Sequence, residues 1–307
     1  METNLWRALA LTAVAPAAWG TTYLVTEMFL PPDRPLFAAL VRALPAGLLL
    51  LAVRRSLPHG EWWWKSGALG ALNFGLFFPL IFLSAYRLPG GLAATVQATL
   101  PLAVMALAWP IIHERPVVVR VIAALVGLSG VGLLVLRSPE SVDPIGLTAA
   151  IASVAVAGLG SVLVKKWRFS RGASSEPVPM LDLVAWQLVA GGLLLLPLAL
   201  AVEGAPPRLD TAAVAGFLWI GGVGTVVAYA CWFYGLSVLP AGSVALVGLL
   251  NPVVATVLGI AFAGELFGWP QALGMSLVVA GVLGGQLRLA PPGSRRPRRG
   301  VVSRSGP

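Results

Sequence analysis

The fold is decided by residues 88–116, LPGGLAATVQATLPLAVMALAWPIIHERP, because a related stretch returns 151 residues later. The second copy is residues 239–267, LPAGSVALVGLLNPVVATVLGIAFAGELF, and the two align without a gap. Small apolar residues match by chance in hydrophobic segments, so the matched prolines and isolated glutamates carry the comparison. The matched pairs are Leu88 with Leu239, Pro89 with Pro240, Gly91 with Gly242, Ala94 with Ala245, Pro101 with Pro252, and Glu114 with Glu265. This pattern indicates an internal duplication.

The duplication extends outward from this stretch in both directions. At the same spacing, Gly130 and Val131 fall on Gly281 and Val282. A less specific match at a spacing of 145 sets residues 46–48, AGL, against residues 191–193, GGL. The two copies therefore cover most of the chain.

The composition places the chain in a lipid bilayer. Of its 307 residues, 58% are hydrophobic and 11% are charged, and the mean hydropathy is +0.87. Soluble domains carry about 25% charged residues, and a membrane-crossing helix needs about 20 mostly apolar residues. Ten such runs are predicted: Leu5–Phe29, Pro35–Val53, Trp62–Ala85, Gly90–Ile112, Val117–Leu136, Ile145–Val164, Met180–Val202, Thr211–Leu236, Ala241–Ala263 and Trp269–Leu289.

The positive charge of the chain is explained by membrane topology. The formal net charge is +9, yet the 21 Lys and Arg residues are scattered between apolar runs, which argues against a nucleic-acid partner. They concentrate in alternate loops, and an excess of Lys and Arg marks cytoplasmic loops. We therefore expect both termini to be cytoplasmic, with the basic tail against anionic inner-leaflet lipid.

Five spans in each copy is an odd number, so the second copy must cross the membrane in the opposite sense. We expect an all-α integral membrane protein with ten transmembrane helices arranged as two inverted five-helix repeats. The predicted units are residues 5–137, residues 144–289 and a disordered cytoplasmic tail at residues 290–307. Inverted repeats are typical of secondary transporters, which bind a small-molecule substrate between the halves and rock one half against the other.

Other classes of function fit the composition less well. Cys231 is a single cysteine and the two histidines are His59 and His113, so no metal site or cofactor is expected, and an enzyme would need a nucleophile with a base within the spans. A non-transporting scaffold or receptor would not require inverted repeats. An exchanger of organic phosphates or sugars would be expected to carry several Lys or Arg in its cavity. A homodimer is the protein partner that the sequence leaves open.

Several of these motifs resemble the EamA-type transporters of the drug/metabolite transporter superfamily. The resembling features are Trp19-Gly20, Arg42-Ala43, residues 88–94 (LPGGLAA), Pro101, residues 113–116 (HERP), Pro240, Asn251-Pro252 and Gly264-Glu265. The resemblance covers roughly residues 6–289 and departs at His113, where the family commonly has Gly. It implies an inner-membrane carrier that exports amino acids or other small metabolites.

Polar residues and prolines within the spans are the candidate functional residues. Arg42 lies about 10 Å deep at 1.5 Å per residue, and an arginine at the centre of a bilayer costs roughly 2.5–3.5 kcal/mol. Its side chain extends outward to the lipid headgroups, fastens helices by hydrogen bonds to carbonyls, or contacts an anionic substrate group. Gln187 takes the equivalent place in the second copy. Pro101 and Pro252 are expected to kink the fourth and ninth spans. Asn251 and Gln97 lie nearby as candidates for cavity lining or for hydrogen bonds between helices.

Two further groups are predicted with alternative roles. Glu114 and Glu265 occupy matched positions on opposite membrane faces. They act either at helix starts, where negative charge is favourable, or in gating or proton coupling. Deep aromatic side chains either pack or form the walls of a substrate cavity. These aromatic candidates are Trp19, Tyr23, Phe78, Trp186, Tyr229 and Trp232.

Overall fold

A computed structural model describes residues 2–32, 34–87, 96–135, 143–169, 178–262 and 268–286, and every regular element within these ranges is helical. The elements of the first half are α1 (Glu2–Phe29), α2 (Pro35–Arg54), α3 (Trp62–Gly70), α4 (Phe77–Arg87), α5 (Leu100–Ile112) and α6 (Val118–Val135). Those of the second half are α7 (Pro144–Phe169), α8 (Met180–Val202), α9 (Thr211–Gly221), α10 (Ala228–Val238), α11 (Ala241–Val247), α12 (Leu250–Phe262) and α13 (Trp269–Gly284). The predicted tail and Glu265 lie outside the described residues, as do residues 88–95.

Among the residues that the structure describes, six helical stretches are long and apolar enough to cross a membrane. They are Asn4–Thr26, Pro35–Arg54, Pro144–Arg168, Met180–Val202, Thr211–Val238 and Ala241–Phe262. Three shorter apolar helices, Leu100–Ile112, Val118–Leu133 and Trp269–Gly284, fall on other predicted spans. The all-α membrane fold is thereby supported, and the count of ten spans stays a prediction.

Two long helices widen into π-helix at matched positions. The first π segment, Ala71–Leu76, joins α3 to α4, and the second π segment, Gly222–Val227, joins α9 to α10. Their starts are again 151 residues apart, so the local distortion is duplicated with the sequence. A π turn carries one residue more than an α turn and is frequent at functional sites.

Each predicted kink proline lies at the start of a new helical segment. Residues 98–99 and 248–249 form turns, after which α5 begins at Leu100 and α12 at Leu250. Pro101 and Pro252 therefore occupy the first turn of their helices, where the missing N–H has no intrahelical partner to lose.

Equivalent helices pair across the bundle in a two-fold pattern. α2 packs on α8, its own equivalent, and α6 packs on α13, also its equivalent. α1 packs on α10 and α12, and its equivalent α7 packs on α4 and α5. Each of these contacts between the halves thus has a partner contact in which the two halves exchange roles.

The paired helices run antiparallel. Arg54 at the end of α2 lies 2.5 Å from Asp182 at the start of α8. At the opposite end, the Glu203 carboxylate accepts hydrogen bonds from the backbone N–H groups of Leu36 (2.6 Å) and Phe37 (2.8 Å). We call the end of the bundle where α1 begins and α2 ends the inner end, and the other the outer end.

Glycines set the close approach of the equivalent helices. A Cβ on Gly47 of α2 would lie 2.7 Å from the backbone N of Val189 on α8, and one on Gly281 of α13 would lie 2.6 Å from the carbonyl oxygen of Ala123 on α6. Only a residue without Cβ fits at such distances, and small residues allow close packing of membrane helices.

Polar side chains fix several helix starts at the outer end. Asp210 accepts a hydrogen bond from Ala213 N at 2.7 Å and caps α9. Asp143 accepts from the N–H groups of Gly146 (3.2 Å) and Ile145 (2.7 Å) at the start of α7. The Gly146 N–H, together with Ile145 and the nearby Arg87, lowers the pKa of the Asp143 carboxyl below its usual value.

Candidate functional site

Arg42 reaches from α2 to the second π segment. Its side chain is buried, with the residue 8% exposed. Nε donates to Thr225 Oγ1 at 3.0 Å, and Nη2 donates to the Gly224 carbonyl at 2.9 Å. The guanidinium carbon also lies 5.0 Å from the centre of the Phe78 ring, a distance at which a cation is attracted to the ring face.

The π geometry supplies the groups that meet Arg42. The Thr225 hydroxyl donates to the carbonyl of Ile220, five residues earlier, at 2.8 Å. The Gly224 carbonyl accepts a second hydrogen bond from Trp19 Nε1 at 3.0 Å. Within an apolar bundle, such carbonyls must face protein or a cavity, so the second π segment presents polar backbone to α1 and α2.

Aromatic rings surround this polar contact. Trp19 lies 5.1 Å from Tyr229 and 5.2 Å from Trp232, measured between ring centres. Tyr229 lies 4.7 Å from Phe74, which in turn lies 5.6 Å from Phe78. We call these five rings the aromatic cluster. It forms an apolar wall beside a buried cation, an arrangement typical of small-molecule sites.

The equivalent place in the other half holds a neutral pair. Gln187 of α8 is fully buried and accepts a hydrogen bond from Asn73 Nδ2 at 2.7 Å, while its own amide donates to the Leu183 carbonyl at 3.1 Å. Asn73 lies in the first π segment, 151 residues before Gly224. The two contacts are therefore related by the duplication, and they differ in charge.

The remaining predicted cavity residues lie in several places. Trp186 is at the inner end, where its indole N–H donates to the Ser56 carbonyl at 2.8 Å, so it is not part of the aromatic cluster. Gln97 donates to Ser153 on α7. Asn251 lies at the contact of α12 with α1, its carbonyl 2.9 Å from a Cβ built on Gly20. Tyr23 is on α1, and its side chain lies outside the described part of the structure.

Glu114 joins the two halves at the inner end. Its Oε2 accepts a hydrogen bond from Lys165 Nζ at 2.8 Å and lies 3.5 Å from the backbone N of Ala241. Lys165 also donates to the Leu239 carbonyl at 3.2 Å, and Arg120 Nη1 lies 4.0 Å from Glu114 Oε1. We call Glu114, Lys165 and Arg120 the inner-end ion cluster. It connects the end of α5 with the end of α7 and the α10–α11 junction.

Some of these residues escaped the sequence analysis. Asn73, Phe74, Gly224 and Thr225 were not singled out, and neither were the partners of Glu114. A signal was present for Asn73, since an amide in the middle of a predicted span is unusual. No comparable signal marks Gly224, because glycine is frequent in membrane helices.

The apolar helices and their buried polar contacts define a multi-pass membrane protein of the transporter class. Among the described residues, no group of three or more His, Cys, Asp or Glu could hold a metal ion. The chain belongs to the EamA-like transporter family, whose sequence profile matches residues 6–136 and again residues 144–284. The resemblance inferred from the motifs is confirmed, and the protein is a membrane transporter of small solutes rather than an enzyme.

Individual relatives agree with this assignment. Protein PecM of Dickeya dadantii is 38% identical over 270 residues, which cover 88% of this chain and 89% of PecM. The uncharacterized transporter YwfM of Bacillus subtilis is 28% identical, covering 92% and 94% of the two chains. The uncharacterized inner membrane transporter YedA of Escherichia coli K12 is 26% identical, covering 86% of each. A solved crystal structure, 19% identical, has a TM-score of 0.77 over 92% of this chain and 98% of its own, a likeness of fold.

Proposed function

We propose that this chain is a secondary transporter that exports an amino acid or a related zwitterionic or apolar metabolite by alternating access. The moving parts are two inverted five-helix repeats, residues 5–137 and 144–289, which together make ten spans. The observation that carries the proposal is the antiparallel pairing of equivalent helices, α2 with α8 and α6 with α13. Two repeats that pair in this way can exchange their conformations. The two resulting arrangements provide the inward-open and outward-open states.

The orientation follows the charge pattern. The inner end includes Lys65, Lys165 and Arg54, and an excess of Lys and Arg marks the cytoplasmic side. The inner end is thus assigned to the cytoplasm, with both termini there and the basic tail near anionic lipid.

The substrate is assigned to the space beside Arg42 and the aromatic cluster. Support comes from the burial of the guanidinium, from its hydrogen bonds to the second π segment, and from the five rings of the aromatic cluster beside it. Tyr23, Gln97, Gln187 and Asn251 extend this proposed lining towards the other helices, whereas Trp186 is assigned to the inner rim.

A tolerance screen tests the transport proposal. Cells that express the chain are challenged with toxic amino acids, their analogues and apolar metabolites, and those that express a non-inserting truncation serve as the control. Export predicts raised tolerance to at least one compound and its outward movement from loaded inverted vesicles. Unchanged tolerance to every compound, with correct membrane insertion, would count against export.

The inner-end ion cluster is proposed as the cytoplasmic gate. Glu114 belongs to the first repeat and Lys165 to the second, so their 2.8 Å contact must break if the repeats separate at this end. Lys165 and Glu114 are 21% and 22% exposed, hence partly shielded from solvent. Glu265, at the matched position, is proposed to act at the outer end.

Replacing Glu114 should therefore favour opening towards the cytoplasm. Glu114→Gln removes the charge that Lys165 and Arg120 share, and the loss of about 1 kcal/mol for such a pair corresponds to about a fivefold population change. In a Cys231→Ser background, a Ser243→Cys probe at the fully buried Ser243 of α11 should react about fivefold faster with N-ethylmaleimide.

The matched control is Glu61→Gln. Glu61 pairs with Lys65 at 2.5 Å on the surface of a single helix and is 74% exposed, so its loss should leave the labelling rate unchanged. An equal rate in Glu114→Gln and the parent protein would remove Glu114 from the gate.

A further inference from the structure

Glu114 has a cationic neighbour in each repeat. Its Oε2 accepts a hydrogen bond from Lys165 of the second repeat at 2.8 Å, whereas its Oε1 lies 4.0 Å from Nη1 of Arg120 in the first repeat. The longer distance is outside the range of a hydrogen bond. In the conformation that the structure shows, Glu114 is therefore bonded across the repeats, and the cation of its own repeat is a second, more distant neighbour.

Arg120 is connected to Glu114 through a short stretch of chain. It lies in the first turn of α6, where its backbone N–H donates to the Val117 carbonyl at 2.8 Å. Residues 115–119 separate it from Glu114, and one of them is Pro116, whose ring fixes a backbone angle. A movement of the first repeat away from the second would therefore carry Glu114 and Arg120 together.

Lys165 in turn has a partner within the second repeat. Its Nζ also donates to the Leu239 carbonyl at 3.2 Å. Separation of the repeats thus breaks the contact between Glu114 and Lys165 but leaves each charge beside a group of its own repeat. This arrangement matters because a shielded charge without a partner is costly, and the side chains of Arg120 and Glu114 are only 11% and 22% exposed.

We propose that Arg120 is a positioning residue of the cytoplasmic gate and binds Glu114 when the contact with Lys165 breaks, an assignment that rests on the gate proposed above. In the inward-open state its guanidinium donates a charge-assisted hydrogen bond to the Glu114 carboxylate. This contact recovers part of the interaction that is lost with Lys165, so the gate opens at a smaller cost in free energy. Arg120 accordingly stabilises the open gate, whereas Lys165 stabilises the closed one.

The labelling assay with the Ser243→Cys probe tests this assignment through the sign of the effect. In the Cys231→Ser background, Arg120→Gln should slow the reaction with N-ethylmaleimide about threefold, within the range for one partly exposed ion pair. If Arg120 only strengthened the closed cluster, its loss would speed the reaction, as is expected for Glu114→Gln. Arg120→Lys keeps the charge and should restore most of the parent rate.

Two further variants control for local effects. Arg115→Gln removes an exposed arginine from the same stretch of chain and should leave the rate unchanged. Arg120 also packs beside the probe, since its Cδ lies 3.8 Å from a Cβ built on Gly242. In the Glu114→Gln background, Arg120→Gln should no longer slow the reaction, whereas an effect of packing would persist there.

An unchanged or faster reaction in Arg120→Gln, or equal slowing with and without the Glu114 carboxylate, would overturn the role of Arg120. The gate itself would survive that result if Glu114→Gln still reacts faster than the parent protein. Equal rates in Glu114→Gln and the parent would remove the gate and the role of Arg120 together. Size-exclusion chromatography checks that each variant is folded.

Discussion

Arg42→Gln is expected to abolish export while the protein still folds and inserts. Glutamine keeps a hydrogen-bond donor for Gly224 or Thr225, and Gln187 occupies the equivalent buried place in the second half. The substitution removes both the charge and the two-point contact, whereas a lysine would keep the charge and lose the two-point contact. Loss of a buried guanidinium contact with an anionic group should lower the transport rate about 100-fold.

Transport by reconstituted protein measures this effect, with size-exclusion chromatography as the check on folding. Arg54→Gln is the matched control, because Arg54 pairs with Asp182 at the inner end and is 38% exposed. Arg42→Lys should retain partial activity. Full transport by folded Arg42→Gln would reduce Arg42 to a residue that fastens α2 to the second π segment.

Deleting Val223 is the second change with a large expected effect. The second π segment contains one residue more than an α-helix of the same span would need, so the deletion restores α geometry between α9 and α10. Their packing on α1 and α2 is kept, but the Gly224 carbonyl and the Thr225 hydroxyl no longer face Arg42. We expect folded protein with transport reduced at least about tenfold.

Val223→Ala is the control, because it removes most of the Val223 side chain without removing the extra residue that forms the π segment. It keeps the chain length and should transport close to the parent rate. Near-normal transport by the deletion variant, with circular dichroism unchanged, would mean that the π geometry is not required for function.

The arrangement of the helices could be predicted because the duplicated residues include prolines, which strongly constrain the local backbone. Pro101 and Pro252 must lie in first turns or kinks. Their separation of 151 residues, shared with the other matched pairs, aligned the two copies from the sequence alone. The same spacing relates the two π segments, yet neither was predicted. A π turn changes which carbonyls are free without changing the apolar character of the segment, so hydropathy does not reveal it.

In the candidate site, the sequence allowed the buried cation to be predicted but not the residues that it contacts. Arg42 was singled out because a charge within a span is expensive, whereas Gly224 and Thr225 are ordinary residues of a membrane helix. For Trp186 the prediction and the structure differ. Its position within a predicted span suggested a place in the cavity wall, whereas its hydrogen bond to the Ser56 carbonyl places it at the inner end.

Glu114 shows how tertiary contacts add to a local interpretation. Its position before α6 favoured a role at the start of that helix, but its hydrogen bond is to Lys165, with the start of α11 nearby. Both partners are more than 50 residues away in the chain, so no local pattern could indicate them.

The inverted repeat is tested most directly by the location of two equivalent loops. Residues 57 and 205 follow the second helix of each copy, α2 and α8, and both are exposed. In a Cys231→Ser background, Leu57→Cys and Ala205→Cys are each treated with a membrane-impermeant maleimide in intact cells. The account predicts that Ala205→Cys is labelled from outside and that Leu57→Cys is labelled only after permeabilisation. Labelling of both from the same side would contradict it.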